Sequence, residues 1–230
     1  MYEQFILTTI IFLIAFIKED IVMRIIEPKV VIESNMTQEE AMNLIERAGR
    51  VCYKSEGKIG DRSAEKFIKN ILKRGHESVI EHISITVRVI CDRGVSHEIV
   101  RHRIASYSQE STRYCNYATD KFSNEITVIK PLFWVDESAQ FMIWKQGMEG
   151  CERAYFALIN AGATPQEARS VLPNSLKTEI FMTMNFREWR HFFTLRCSSA
   201  AHPQMRQVAS MIFEQFMERY PLFVEDLIIE

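Results

Sequence analysis

The densest group of hydrogen-bond donors in this chain lies in residues 96–117, which read SHEIVRHRIASYSQESTRYCNY. Arg101, His102 and Arg103 are consecutive in it, and Arg113 follows on the C-terminal side. A guanidinium group is always charged and presents a planar fork of N–H donors that matches pairs of oxygen atoms. Several such groups beside a histidine favour a multiply charged phosphate ligand over a single carboxylate.

The elements that precede this group explain how it is positioned. Apolar and polar side chains alternate over residues 83–91, which predicts a strand with one buried face. Asp92 then predicts the cap of a short helix from Arg93 to about His102, followed by a hydroxyl-rich loop. Composition alone leaves open a solvated helix end without a ligand. The position at the end of a buried strand and helix favours a site.

The spacing of these residues is also that of a known motif. The order Arg101-His102-Arg103, seven residues, Ser111, one residue, Arg113 resembles the RHR-x7-S-x-R signature of the flavin-dependent thymidylate synthases. The resemblance covers the chain from Met23 to its C-terminus. Further stretches that resemble the family, in the same order, are residues 74–78 (RGHES) with 81–82 (EH), residues 168–173 (ARSVLP), and residues 185–187 (NFR) running to 195–196 (LR).

The resemblance implies a reductive methylation. In that family a methylene group from 5,10-methylenetetrahydrofolate is placed on C5 of dUMP to give dTMP, with NADPH as reductant through FAD. The implied FAD-site residues are Ser78, Arg101, His102, Arg103, Gln109, Asn185, Arg187 and His191, and the match of residues 76–82 to the stretch where flavin and folate meet adds His76 and Glu81. The implied dUMP-site residues are Glu98, Arg101, Glu110, Ser111, Thr112, Arg113, Arg169 and Arg196.

Two residues receive catalytic roles from the resemblance. Arg196 is expected to favour ionisation at N3 of the pyrimidine, and Ser111 is expected to orient the substrate with its hydroxyl, because no His or Lys base can be assigned to it. Glu98, Gln109 and His191 depart from the family pattern, where Gln, an acidic residue and Asn are common.

Charge and composition exclude other classes of protein. The formal net charge of −2 argues against a general nucleic-acid binder. Five cysteines without a CxxC pair, and six histidines without ligand spacing, predict reduced thiols, a cytoplasmic location and no bound metal.

Residues 5–17 (FILTTIIFLIAFI) are apolar, yet they are too short for a comfortable transmembrane helix and lack the basic flank of a secretory signal. We expect Met23 to be the biological start, residues 1–22 to be a non-native or disordered extension, and residues 23–230 to form the catalytic domain. The intact mass of the native protein would test this start.

The rest of the chain predicts an α+β fold, a single mixed domain with an antiparallel-type sheet packed by helices. The predicted strands are two short ones within residues 23–33, residues 83–91, 125–130 and 177–184. The predicted helices are residues 37–53 behind a Thr37 capping box, a helix capped by Ser63 and stopped by Gly75, residues 137–161, a short helix launched by Thr164 and Pro165, residues 185–197, and one opened by Pro203 and closed by Pro221.

Three alternatives stay open at this point. The arginine cluster would also suit a nucleotide- or RNA-phosphate-binding module without catalysis. Cys197, next to Arg196, could serve as a covalent nucleophile if its pKa were lowered. Residues 5–17 could tether the protein to a membrane, although we expect no stable membrane association. The family resemblance further implies a homotetramer with active sites shared between subunits.

Overall fold

Two nine-residue strands, β3 (Ser84–Asp92) and β6 (Lys177–Asn185), are neighbours in a four-stranded sheet. The alternation in the sequence places Ile85, Val87 and Val89 on one face of β3, and all three are fully buried. This is the pattern of a strand with one face against a core. The computed structural model describes residues 23–228, so the interpretation of residues 1–22 lies outside the described residues.

The sheet has the order β2 (Lys29–Ile32), β3, β6, β4 (Ser106–Gln109). Strand β2 pairs antiparallel with β3, and β4 pairs antiparallel with β6. The loop predicted directly after Ala105 is wrong, because residues 106–109 form β4. Their Ser and Gln side chains carry little strand preference, and the strand forms because β6 supplies its hydrogen-bond partners and Tyr107 packs against the core.

Helix α1 (Gln38–Val51) begins at the predicted capping box, in which Thr37 Oγ1 accepts from the Glu40 amide and the Glu40 carboxylate accepts from the Thr37 amide. Helix α2 (Ser63–Lys73) begins one residue earlier than predicted, with Arg62 rather than Ser63 at the cap position. Arg62 adopts a left-handed conformation (φ 56°), which brings Ser63 into the first turn.

Gly75 ends α2 as predicted. Its φ of 69° is accessible to glycine at little cost, and its amide donates to Leu72 O at 2.9 Å while the His76 amide donates to Ile71 O at 2.9 Å. This termination leads directly into a 3₁₀ helix, Glu77–His82, that carries several of the predicted site residues.

Three helices complete this part of the chain: α3 (Arg93–Ile99), α6 (Phe186–Arg196) and α7 (Pro203–Arg219), with a 3₁₀ helix at Pro221–Phe223. Asp92 caps α3 as predicted, since its Oδ1 accepts from the Val95 amide at 2.7 Å. The core against the sheet is strongly aromatic. Trp189, Phe192 and Phe193 of α6 are fully buried in it, so α6 is held rigidly on one side.

A second region has its own smaller core. Strand β1 (Arg24–Ile26) pairs parallel with β5 (Thr127–Ile129), and helices α4 (Ala139–Asn160) and α5 (Pro165–Ala168) follow in the chain. Tyr155 of α4 is fully buried in a cluster with Tyr117, Val128 and Leu176. Short 3₁₀ helices occur at Asp120–Phe122 and Arg169–Val171 here, and at Glu56–Lys58 in the larger region.

Contacts divide the chain into two compact units. Unit 1 comprises residues 23–27 and Glu110–Lys177 of the described chain, and unit 2 comprises Pro28–Gln109 and residues 178–228. The predicted α+β class, with an antiparallel sheet packed by helices, is confirmed. The assignment of residues 23–230 to one catalytic domain stays a prediction. Over residues 23–228, no helix combines the length and apolar character needed to cross a membrane.

Candidate functional site

Helix α6 forms one wall of a cavity of about 630 Å³ in unit 2. Asn185 starts this helix as predicted, because its Oδ1 accepts from the Glu188 amide at 2.9 Å. The volume is within the range of small-molecule sites. The residues that line the cavity are Glu77, Glu81, Ile104, Asn185, Arg187, Glu188, Arg190, His191, Thr194 and Leu227. Four of the predicted FAD-site residues, Glu81, Asn185, Arg187 and His191, are therefore brought together.

Arg187 is the accessible cation of this wall. Its side chain is 55% exposed, and its Nη1 donates to Glu81 Oε1 at 2.6 Å. Glu77 Oε2 lies farther away, 4.0 Å from Arg187 Nε. An exposed ion pair of this kind contributes little to stability, because water screens the two charges. Arg187 can therefore exchange its carboxylate partner for an anionic ligand at small cost.

Arg190 lines the same cavity but is committed to the fold. Its guanidinium donates to both carboxylate oxygens of Asp226, at 2.6 and 2.8 Å, to Glu77 Oε1 at 3.0 Å, and to the Phe223 carbonyl at 2.7 Å. No sequence motif pointed to this residue. Its position on the apolar stripe of α6, with Phe186 and Phe193, was the available signal that it would be buried and paired.

The histidine of the Arg-His-Arg triplet points inward. His102 is only 5% exposed, and Arg196 Nε donates to its Nε2 at 3.0 Å. An arginine nitrogen here can only donate, so His102 Nε2 must accept and the ring is neutral. Burial lowers the pKa of His102, the Glu188 carboxylate opposes this, and the Arg196 charge lowers the pKa further.

Arg196 is also held from a second side. Its Nη1 donates to Glu98 Oε2 at 3.0 Å, and its Nη2 donates to the Glu98 carbonyl at 3.2 Å. The structure thus joins three predicted residues, Glu98, His102 and Arg196, although they come from two distant parts of the chain. The guanidinium is oriented by fixed neighbours on α3 and on the turn that follows it.

Two partners of His102 were missed from the sequence. Glu188 is buried, and its Oε1 lies 3.2 Å from His102 Nδ1. Tyr107 OH donates to the carbonyl oxygens of His102, at 2.7 Å, and Ile99, at 2.9 Å. Burial and the Glu188 charge raise the pKa of Tyr107 to about 12, so it stays a donor at neutral pH. A long-range contact creates the role of Glu188, whereas the fold of the turn between Ile99 and Tyr107 creates that of Tyr107.

His102, Glu188 and His191 also form a cluster of metal-ligand type, and their ligand atoms lie within 4.8 Å of one another. Both ring nitrogens of His102 are already engaged in hydrogen bonds, and the Arg196 cation faces one of them. A metal ion would have to displace these bonds and approach a fixed positive charge. The sequence-based expectation that no metal is bound stays a prediction.

Other predicted residues of unit 2 lie apart from the cavity wall. Four of them are exposed: Arg101, Arg103, His76 and Ser78. None of the four belongs to the cavity wall formed by residues 23–228. Gln109 is engaged internally, because its Nε2 donates to Ser96 Oγ at 2.9 Å and to Thr178 Oγ1 at 3.1 Å. These five assignments stay predictions.

The remaining predicted residues belong to unit 1. Glu110 accepts from Lys177 Nζ at 2.8 Å and from Tyr117 OH at 3.2 Å, so its carboxylate is fixed. Ser111 Oγ accepts from the Arg113 amide at 3.3 Å. Thr112 is buried.

Helix α5 brings two predicted arginines of unit 1 into one neighbourhood. Arg113 Nε donates to Gln166 Oε1 of α5 at 2.9 Å, and the exposed Arg169 follows directly after that helix. The predicted cap of Thr164 with Glu167 and Pro165 is confirmed and fixes the start of α5. Unit 1 therefore presents a pair of arginines beside the Ser111 turn.

Cys197 does not have the environment of a reactive thiol. It is 2% exposed, and burial raises its pKa to about 11, although a hydrogen bond with Ser210 acts in the opposite direction. A thiol of this pKa is almost entirely protonated at neutral pH, which makes it a poor nucleophile. The proximity to Arg196 in sequence therefore does not produce the lowered pKa that a covalent role would require.

Comparisons with known proteins agree with the motif and the fold. The family model described as thymidylate synthase complementing protein matches residues 32–222. The chain is 39% identical to the flavin-dependent thymidylate synthase of Geobacter sulfurreducens, over 70% of this chain and 71% of the relative. It is 37% identical to that of Pyrococcus furiosus, over 76% and 72% of the two chains.

Among solved structures, the UMP/dUMP methylase PolB from Streptomyces cacaoi, bound with 5-Br UMP, shares the fold. The TM-score is 0.70 at 20% sequence identity, and the match covers 88% of this chain and 95% of that one. The family model spans most of the chain, and the relatives exceed 30% identity over more than two thirds of it. The chain belongs to the flavin-dependent thymidylate synthase family.

Proposed function

We propose that this protein is a flavin-dependent thymidylate synthase that converts dUMP to dTMP, with 5,10-methylenetetrahydrofolate as one-carbon donor and NADPH as reductant through FAD. The observation that carries the proposal is the Arg196 guanidinium held between Glu98 and the neutral, buried His102. Family membership supplies the reaction, and this arrangement supplies a fixed cation for it.

The residues of the cavity fit a flavin nucleotide, which is part planar ring and part anion. Ile104 and Leu227 supply apolar surface, while Arg187, His191 and Thr194 supply donors. These residues would hold FAD together with Asn185. Further candidates are the exposed Arg101, Arg103, His76 and Ser78, with His102, Gln109 and Glu81. When bound, FAD carries reducing equivalents from NADPH to the one-carbon unit.

The chain's own contribution to the chemistry is electrostatic. C5 of uracil is a weak nucleophile, and its electron density rises when N3 carries negative charge. Arg196 cannot remove a proton at neutral pH, but a fixed guanidinium beside N3 stabilises the anion that develops there. Glu98 and His102 hold that guanidinium in place, so little reorganisation is required during the reaction.

We propose that Glu98, Arg101 and Arg196 of unit 2 are dUMP-binding residues. We propose the same role for Glu110, Ser111, Thr112, Arg113 and Arg169 of unit 1. Arg113 and Arg169 have the charge and geometry to bind the phosphate. Ser111 acts as an orienting hydroxyl, because its Oγ accepts from the Arg113 amide and, within residues 23–228, it makes no hydrogen bond to a His or Lys that could serve as a base. The reaction is therefore proposed without a covalent bond between enzyme and substrate.

We also propose a homotetramer with shared sites. Several apolar side chains of unit 1 are exposed in the single chain, among them Val135, Met142 and Ile143, and an assembly would cover such surface. Native mass spectrometry should give the mass of four chains, and a monomer at micromolar concentration would contradict this proposal.

The proposed activity is tested by purifying the full chain and recording its spectrum. A flavin absorbance that bleaches with NADPH, and formation of dTMP from dUMP and methylenetetrahydrofolate, are expected. A colourless protein that binds RNA or nucleotides, with affinity that falls steeply with salt, would favour the alternative of a phosphate-binding module.

A further inference from the structure

Glu188 has no role in the function proposed above, yet it makes a buried contact with the central histidine. Its side chain is 9% exposed, and its Oε1 lies 3.2 Å from Nδ1 of His102. The other ring nitrogen, Nε2, accepts from Arg196. A neutral imidazole carries one proton, so that proton must lie on Nδ1 and Glu188 must be its acceptor.

The position of this proton matters for Arg196. In the opposite tautomer, Nε2 would carry the proton and face the Arg196 Nε–H across 3.0 Å, so two donors would oppose each other. Arg196 would then lose one of its fixed partners and keep only Glu98. A buried acceptor at Nδ1 removes this alternative because it favours the single tautomer in which Nε2 holds the guanidinium.

We propose that Glu188 is a positioning residue of the reaction, which fixes the tautomer of His102 and through it the orientation of Arg196. The remaining neighbours are compatible with this role. Tyr107 binds the His102 carbonyl, and His191 packs with its ring centroid 5.8 Å from that of His102. Among the residues that the structure describes, neither of these two hydrogen-bonds Nδ1, so Glu188 is the acceptor there.

The inference rests on the proposed function for the role of Arg196, but its first step can be measured without activity. Long-range ¹H–¹⁵N NMR on the full chain labelled with ¹⁵N-histidine distinguishes the two tautomers, and the variant His102→Gln assigns the signal. The same preparations give kcat and the pH profile of kcat/KM for dTMP formation.

Three variants separate positioning from simple loss of stability. Glu188→Leu removes the acceptor, and Glu188→Gln keeps an uncharged acceptor of the same size. Glu46→Gln is the matched control, because Glu46 is also a buried carboxylate of unit 2 that pairs with an arginine, Arg50 at 2.7 Å, and it makes no contact with His102 among the described bonds. The helix cap remains in every case, since Asn185 binds the Glu188 backbone.

In the wild type we expect the Nδ1–H tautomer. Glu188→Leu should change or mix the tautomer and lower kcat by roughly 10- to 100-fold, with a smaller change in KM for dUMP, since small displacements of a catalytic group have effects of this size. Glu188→Gln should keep the tautomer and most of kcat. In Glu188→Gln, the fall of kcat/KM on the acid side of the pH profile should move to lower pH, because loss of the carboxylate charge lowers the pKa of His102. Glu46→Gln should move neither readout.

The proposal is overturned if Glu188→Leu keeps the wild-type tautomer, or if Glu188→Gln and Glu46→Gln give the same pH profile. It is also overturned if the tautomer changes while kcat does not. If the wild type is inactive but the tautomer changes in Glu188→Leu as expected, the proposed function is rejected, and with it the role of Glu188 in the reaction. Glu188 would still be shown to control the tautomer of His102.

Discussion

Two arginines of helix α6 lie in opposite environments. In the N-terminal half of the helix, Arg190 is buried and its charge is met by Asp226, Glu77 and a carbonyl oxygen. At the C-terminal end, Arg196 is partly exposed, pairs with the single carboxylate of Glu98, and uses its Nε–H on the neutral ring of His102.

The difference shows what distinguishes a structural cation from one available for chemistry. Arg190 makes four hydrogen bonds to acceptors that hold the 3₁₀ helix Glu77–His82 and the segment around Asp226 onto α6. Arg196 is oriented with the help of a neutral group, which fixes its position without adding a second compensating negative charge. A positive field therefore remains for a developing anion.

The largest expected effect is on turnover at the C-terminal end. Arg196→Ala should lower kcat for dTMP formation by about 10²- to 10³-fold, because a preorganised charge that stabilises the developing anion is lost. FAD content should stay near that of the wild type, as Arg196 is not part of the cavity wall formed by the described residues. Steady-state kinetics and the flavin absorbance of the purified variant measure both. A variant that retains wild-type kcat would show that Arg196, like Arg190, has no role in the reaction.

The next largest effect is on stability, at Arg190. Arg190→Met should lower the free energy of unfolding by about 2–3 kcal/mol, below the roughly 3–5 kcal/mol for a fully buried pair because Asp226 and Glu77 are partly exposed. Denaturant unfolding measures this. Arg187→Met, which breaks the exposed pair of another α6 arginine with Glu81, should cost much less than Arg190→Met. Equal losses in the two variants would remove the assignment of Arg190 as the structural arginine.

The pH dependence sharpens the comparison, because Arg196 has a histidine partner, whereas the side-chain partners of Arg190 are carboxylates. Burial and the Arg196 charge, against the opposing effect of Glu188, hold the pKa of His102 below its ordinary value of 6.5. Between the two values the unfolded chain binds more protons than the folded one, so the stability contributed by neutral His102 is lost as the pH falls below about 6.5.

Protonation would also place a hydrogen on Nε2 and break its bond to Arg196, so kcat/KM should fall on the acid side. Urea unfolding at a series of pH values, compared with His102→Gln, checks the first expectation. The slope of stability against pH in this range should be smaller in that variant. An identical slope would mean that His102 is not the titrating group.

The smallest expected effect concerns the residue that follows Arg196. Cys197→Ala should keep kcat within about twofold, because burial keeps the thiol protonated, and should cost about 1 kcal/mol of stability through lost packing. Thermal unfolding and dTMP assays measure the two quantities. A loss of activity comparable to that of Arg196→Ala would instead indicate a covalent role for the cysteine.

Local signals predicted the parts of the fold that depend on short-range physics. The alternation over β3, the Asp92 cap of α3, the Asn185 cap of α6 and the glycine stop of α2 all require only neighbouring residues. Strand β4 was missed because its Ser and Gln side chains have weak strand preference, and its pairing with β6 comes from a distant segment.

Prediction of the candidate site from the sequence has the same limit, because long-range contacts cannot be inferred from neighbouring residues. The motif predicted His102 and Arg196, but the sequence gives no reason for Arg196 to contact His102, since the two are joined only by the fold. Glu188, Tyr107 and Arg190 were missed for this reason. Glu188 and Arg190 acquire their partners across a large sequence separation, and their burial can be inferred only when α6 is placed against the rest of unit 2. Tyr107 binds carbonyl oxygens close to it in the chain, but only because the turn after α3 brings them to its hydroxyl.

The most direct measurement of the central claim is release of tritium from dUMP tritiated at C5, followed in the wild type and in Arg196→Ala at equal flavin occupancy. If Arg196 makes the pyrimidine electron-rich, the wild type should release tritium in step with dTMP formation, and the variant should do so at least about 100-fold more slowly. Release at the same rate in both proteins would contradict the assigned role of Arg196.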